Sequence, residues 1–119
     1  MDKMKLEWDF DKIKVPKASE KRNTVDCVML KNIINEINYA KSNGSCAVVA
    51  VQDEYVSQRV LQKLVEAEYN LTISVTKGCN FMVEVQWPEG SNGKIVAAVG
   101  NEFMENTTLD KIYERVAML

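Results

Sequence analysis

The chain contains no histidine, and that absence removes the commonest general base, the usual imidazole metal ligand and every Ser-His or Cys-His nucleophilic pair. Cysteine is scarce as well. Cys27, Cys46 and Cys79 are odd in number and far apart, which suits neither a disulfide framework nor the close ligand spacing of a thiolate zinc site. They read as reduced, structural cysteines packed as small hydrophobes. No apolar run approaches the roughly 20 residues that span a bilayer, so no membrane partner is expected. The segment MDKMKLEWDF carries charges where a secretory signal needs an uninterrupted apolar stretch, and the expected location is the cytoplasm of the producing cell. A dominant charge is also missing: 15 Lys and Arg against 17 Asp and Glu leave a net of −2, with no global footprint for nucleic acid or an anionic surface.

What is present is the composition of a single globular domain: 119 residues, 46% hydrophobic and 27% charged. The charge is unevenly spread. Residues 1–22 hold seven basic and five acidic side chains, and residues 23–119 hold eight and twelve, so a basic arm precedes an acidic body. Within the arm Leu6, Trp8 and Phe10 alternate with Glu7 and Asp9, the period of a strand with one apolar face. Pro16 and the charged run at residues 17–22 then read as a linker.

The body, residues 23–119, opens with a helix capped by Asn23 or Thr24, with Asp26 in the first turn where the helix dipole favours a carboxylate. Its apolar stripe is Val25, Met29, Ile33, Ile37 and Ala40, supported by Leu30 and Ile34. Asn43-Gly44 ends it. Residues 47–51 are apolar without alternation, as in a buried central strand. Asp53 is placed to cap a second helix with the stripe Val56, Val60, Leu61, Leu64 and Val65. Leu71, Ile73 and Val75, then Phe81, Val83, Val85 and Trp87, alternate with polar residues about the turn Lys77-Gly78-Cys79-Asn80 and read as an antiparallel hairpin. Residues 94–99 are either a fourth strand after Asn92-Gly93 or a short helix, the strand being preferred. Thr107 or Thr108 caps a last helix with Leu109, Ile112, Tyr113 and Val116 inward. The expected fold is two-layer α+β, with helices on one face of a small mixed or antiparallel sheet and an extended N-terminal arm. Its core is residues 25–87, and residues 88–119 form a C-terminal extension.

The strand–helix junction in CAVVAVQDEYVSQRVLQKL has the form of a phosphate cradle but not its chemistry. It lacks the glycines that let a backbone approach an anion, and it places Asp53 and Glu54 where the anion would sit. Glu66 and Glu68 are two apart and do not share a helix face, and Glu102 and Glu105 have no third ligand or calcium-loop glycine beside them. No catalytic, cofactor-binding or metal-binding residue is assigned, and no enzyme mechanism assembles.

The helix end Ala40-Lys41-Ser42-Asn43-Gly44-Ser45 leads into Val48-Val49-Ala50-Val51. The second helix ends Glu66-Ala67-Glu68-Tyr69-Asn70 before Leu71-Thr72-Ile73-Ser74-Val75, and a later strand finishes Val83-Glu84-Val85-Gln86-Trp87. Over about residues 25–87 this pattern resembles the small α-β-α-β-β proteins common in tailed-phage genomes. Those proteins usually have Gly where this chain has Glu68, and most stop soon after the Trp. The resemblance implies a virion or accessory component and no activity. The functional expectation is a non-enzymatic interaction protein whose partners are other protein chains or copies of itself. Its contact residues would be Leu6, Trp8 and Phe10 with the cations Lys12, Lys14, Lys17, Lys21 and Arg22. The rival expectation is a small nucleic-acid-binding or host-inhibiting regulator using the same cations.

Overall fold

The computed structural model describes residues 18–78 and 80–119, with side chains described from Thr24 onward apart from Cys79. The described residues form three helices and five strands in the order α1 (Ala18–Ser42), β1 (Ala47–Asp53), α2 (Gln58–Glu66), β2 (Asn70–Thr76), β3 (Asn80–Gln86), β4 (Ile95–Val99), β5 (Glu102–Met104) and α3 (Leu109–Val116). The fold is α+β and the sheet is mixed, in the order β1-β3-β2-β4-β5. β2 and β3 form the expected antiparallel hairpin, Thr76 opposite Asn80, and residues 95–99 are indeed a strand, parallel to β2. β5, which the sequence did not announce, closes the far edge antiparallel to β4. β1 and β2 run in the same direction with β3 between them, so the crossover through α2 skips one strand.

One cluster of buried side chains joins the elements. Ile33 and Ile37 of α1, Val60, Leu61 and Leu64 of α2, and Leu109 and Ile112 of α3 meet the inward rows of the sheet. Those rows are Leu71-Ile73-Val75, Phe81-Val83-Val85 and Ile95-Ala97-Val99. The alternating strands therefore bury the residues that their period-2 pattern selects. Thr108 caps α3 as expected, its hydroxyl accepting from the Lys111 N–H at 3.4 Å.

Four local expectations are corrected. First, α1 begins at Ala18, so Asn23 and Thr24 lie inside it and residues 18–22 are helix rather than linker. Ala, Glu, Lys and Arg are strong helix formers, and propensity outweighs a charged composition that suggested a linker. Second, the inward face of α1 is rotated toward Asp26. Val25 and Ile34 are 46% and 43% exposed, while Asp26, Ile33, Ile37 and Ala40 are buried. Third, residues 47–51 do not form a central strand. Among the described residues β1 lies at the sheet edge, and its unalternating apolar run reflects a bulge: Val49 pairs with Glu84 and Val51 with Val83, leaving Ala50 without a partner in register. The extra residue switches the parity, so Val51 turns inward and Val49 outward at 44% exposed. Fourth, Cys27 and Cys46 are exposed, not packed in the core; Cys79 lies outside the described residues.

The helix ends carry their own explanation. Past α1 the Ser45 N–H reaches the Ala40 carbonyl at 3.0 Å and the Gly44 N–H the Lys41 carbonyl at 3.0 Å, with Gly44 at φ +78°. This is the Schellman arrangement, with the left-handed residue where glycine is free to take it. α2 ends in the same way, Tyr69 to Leu64 at 3.1 Å and Glu68 to Val65 at 2.9 Å, but the left-handed position holds Glu68 at φ +71°.

Candidate interaction surface

Leu6, Trp8, Phe10, Lys12, Lys14 and Lys17 lie outside the described residues, and Lys21 and Arg22 fall in the first turns of α1. The carboxylates considered as sites have other employment. Asp53 ends β1 and accepts the Glu54 N–H through Oδ1 at 2.7 Å, while α2 starts later, with Ser57 at the N-cap position. Glu102 pairs with Arg115 at 2.9 Å on the surface, a contact of small energetic weight. Among the described residues no three His, Cys, Asp or Glu side chains gather as a metal-binding group, and no helix is long and apolar enough to cross a membrane.

Asp26 is the residue whose part sequence reasoning missed. Its side chain is 6% exposed and its Oδ2 accepts from the Ser57 hydroxyl at 3.0 Å and from Arg59 Nε at 2.6 Å. Ser57 makes no side-chain cap to its own helix, so the Asp26 carboxylate is held at the positive end of α2 by the residue that would otherwise have capped it. This ties α1 to α2. Oδ1 of the same carboxylate is buried without a hydrogen-bond partner. An acidic residue one place from an apolar stripe was the available signal.

The surface with the clearest capacity for recognition runs along the β1 edge. Because β1 ends the strand order, one side of its backbone has no strand beside it among the described residues. Alternate N–H and C=O groups of an edge strand point outward and invite pairing. α1 runs back alongside this edge. Val25, Val28 and Met29 border the Gln52 and Asp53 end, and Asn32, Asn35 and Glu36 border Val49, Ala50 and Val51, making one continuous groove between helix and strand. Val25, Val28, Asn32 and Asn35 recur at three- and four-residue spacing, so they form a second stripe on α1, beside the one that faces the core. Val28 is 52% exposed, and Val25 and Val49 nearly as much. The groove therefore offers strand-pairing groups on one wall, an apolar patch at one end and side-chain amides at the other.

The sheet face away from the core is less suited to binding a base. Its rows follow the register, Glu84 beside Thr72 and Val96, then Met82 beside Ser74, Ala98 and Phe103. Gln86 donates to Glu84 at 2.5 Å and to Thr72 at 3.1 Å across this face. Phe103, 67% exposed, stands alone there, and a single ring is not a stacking platform. Trp87 sits past the end of β3, half-buried and edge-on to Tyr69, with the Lys41 ammonium 5.6 Å from its ring. Comparison of the chain with protein-family models, curated proteins and solved structures finds no match.

Proposed function

We propose that this protein is a non-enzymatic interaction module that takes up an extended segment of another protein chain, or of another copy of itself, by strand addition at β1. The observation that carries this reading is the groove between α1 and the β1 edge, where strand groups with no strand partner among the described residues lie beside exposed Val25, Val28 and Val49. Main-chain pairing supplies affinity in such a mode, and pockets for alternate side chains supply selectivity. A role as a virion or accessory component is the setting that the resemblance to phage proteins suggests, and it remains part of the proposal.

The test is a photo-cross-linking residue at exposed Gln52, with a control at exposed Lys111 on α3, in protein made in its cell of origin. Adducts to protein at position 52 and not at 111 are the expected result. Adducts to DNA or RNA at position 52, or equal protein adducts at both positions, overturn the reading.

A further inference from the structure

We infer that the partner at the β1 edge is a second copy of this chain, joined across a two-fold axis so that β1 pairs antiparallel with β1 and α1 packs antiparallel on α1. This rests on the reading of that edge as a strand-addition site and names what is added.

Three observations converge. The first is the stripe on α1. Val25, Val28, Asn32, Asn35, Tyr39 and Ser42 follow one another at alternating spacings of three and four residues, and all of them are exposed. That is the seam spacing with which two helices pack side by side. Its order is self-complementary. Turned about a point midway between Asn32 and Asn35, the stripe sets Asn32 opposite Asn35 of the second copy and Val28 opposite its Tyr39, and each contact occurs twice. A closed two-fold pair requires that reciprocity, residue i meeting j and j meeting i. Carboxamides carry both donors and an acceptor, so the Asn pairs satisfy one another. Val28 and Tyr39, 52% and 70% exposed in the single chain, cover each other's apolar surface.

The second is the strand. Val49 lies opposite Glu84 and Gln52 opposite Met82, on one face of β3, because the bulge at Ala50 brings both to the outer side of the sheet. Two β1 strands can therefore meet antiparallel with Val49 opposite Gln52 of the second copy and like faces matched, the axis passing between Ala50 and Val51. The groove sets Asn32 and Asn35 abreast of Val49, Ala50, Val51 and Gln52. The midpoint of the stripe and the midpoint of the strand register thus lie side by side, and one axis serves both.

The third is charge. Between Val25 and Ser42 the charged residues are Asp26, Lys31, Glu36 and Lys41, and none lies on the stripe. A second copy meets no like charge along it, and a nucleic acid finds no cation there. β1 ends in Asp53, followed by Glu54. The antiparallel register puts Asp53 opposite Val48 of the second copy, so the two Asp53 carboxylates stand about 16 Å apart along the strands, beyond the roughly 8 Å over which physiological salt screens them.

Sedimentation velocity of the purified full chain over a dilution series should show a dimer that dissociates as it is diluted. Asn32→Glu with Asn35→Glu places like charges across the axis and should weaken association at least about tenfold, whereas Asn32→Lys with Asn35→Glu places opposite charges there and should keep it. The helix register is read separately by mixing two single-cysteine chains, Val28→Cys and Tyr39→Cys, in a background of Cys27→Ser, Cys46→Ser and Cys79→Ser. Disulfides should join the two kinds of chain and not two chains of one kind, because equivalent residues stand about 16 Å apart along the helix pair. With a photo-cross-linking residue at Gln52, a mixture of labelled and unlabelled chains should give mixed-mass adducts within residues 47–53. A chain that stays monomeric at every concentration, double variants that associate alike, disulfides between like chains, or adducts confined within one chain overturn the inference. The groove reading fails on different evidence, nucleic-acid adducts at position 52 or equal adducts at positions 52 and 111 in the cell. A monomeric chain whose position 52 captures another protein keeps that reading and loses the dimer.

Discussion

Replacing Asp26 by alanine probes the joint between α1 and α2. The substitution removes two bonds to a carboxylate, from the Ser57 hydroxyl and from Arg59 Nε, and bonds to charged groups are worth about 1.5–3 kcal/mol each. Three effects reduce the sum. The Arg59 side chain is 60% exposed, so water screens its share. The unpartnered Oδ1 is a cost that the alanine removes. Ser57, once released, stands at the N-cap position and can accept an α2 N–H, which returns about 1 kcal/mol. The net expectation is a loss of about 2 kcal/mol, roughly 8 °C in Tm for a chain of this size. Thermal and urea melts of Asp26→Ala, Ser57→Ala and the double variant measure it, with a coupling of about 1 kcal/mol between the two sites. A loss below about 0.5 kcal/mol, or strictly additive effects, would show that the carboxylate does not hold the helices together.

Glu68→Gly should stabilise the protein by about 0.5–1 kcal/mol in urea melts, because a side chain held at φ +71° is strained and glycine is not; no gain would mean that the turn relaxes around Glu68. Val51→Asp should abolish cooperative folding while Val49→Asp shifts the melt only slightly, since Val51 faces the core and Val49 the solvent; equal damage, read by circular dichroism, would remove the bulge assignment. Burial, with a smaller push from Tyr55, raises the Tyr113 hydroxyl far above the usual phenol range, and that hydroxyl donates to the Val56 carbonyl. The fold therefore favours the neutral phenol, its contribution is complete below about pH 10 where an unfolded tyrosine titrates, and it is lost as pH rises above that value. Tyr113→Phe should cost about 1 kcal/mol at pH 7 and flatten the alkaline loss of stability, and an unchanged pH profile would count against the buried hydroxyl as its source.

Most elements were legible because their residues obey one periodicity at a time. Leu71-Ile73-Val75 and Phe81-Val83-Val85 alternate cleanly, and both lie on interior strands. β1 was misplaced because a bulge inserts Ala50 and breaks the alternation, which on paper imitates a strand buried on both faces. The start of α1 was hidden because its first residues are charged and follow a proline, features shared by linkers and helix beginnings. The groove was not legible at all: it exists because α1 returns beside an edge strand, and no local pattern states which strand will be at the edge. Glu68 is a further case: it holds a left-handed φ of +71° at the end of α2, a position that glycine takes without strain, and no periodicity marks it.

The placement of β3 between β1 and β2 also sets a timetable. β1 leaves the ribosome before β3, its strand partner among the described residues, which follows about 30 residues later. At about 5–20 residues per second that is a wait of roughly 2–6 s, during which an apolar strand stands unpaired beside its finished helix. Ribosome-bound chains stalled before and after residue 86 should differ sharply in protease cleavage at β1, and equal protection in both would mean that β1 finds shelter without β3. For those seconds the described residues already made offer β1 no strand edge of its own sheet to join. Any segment able to hold it then would act on the nascent chain as a built-in chaperone, whatever it does in the finished protein.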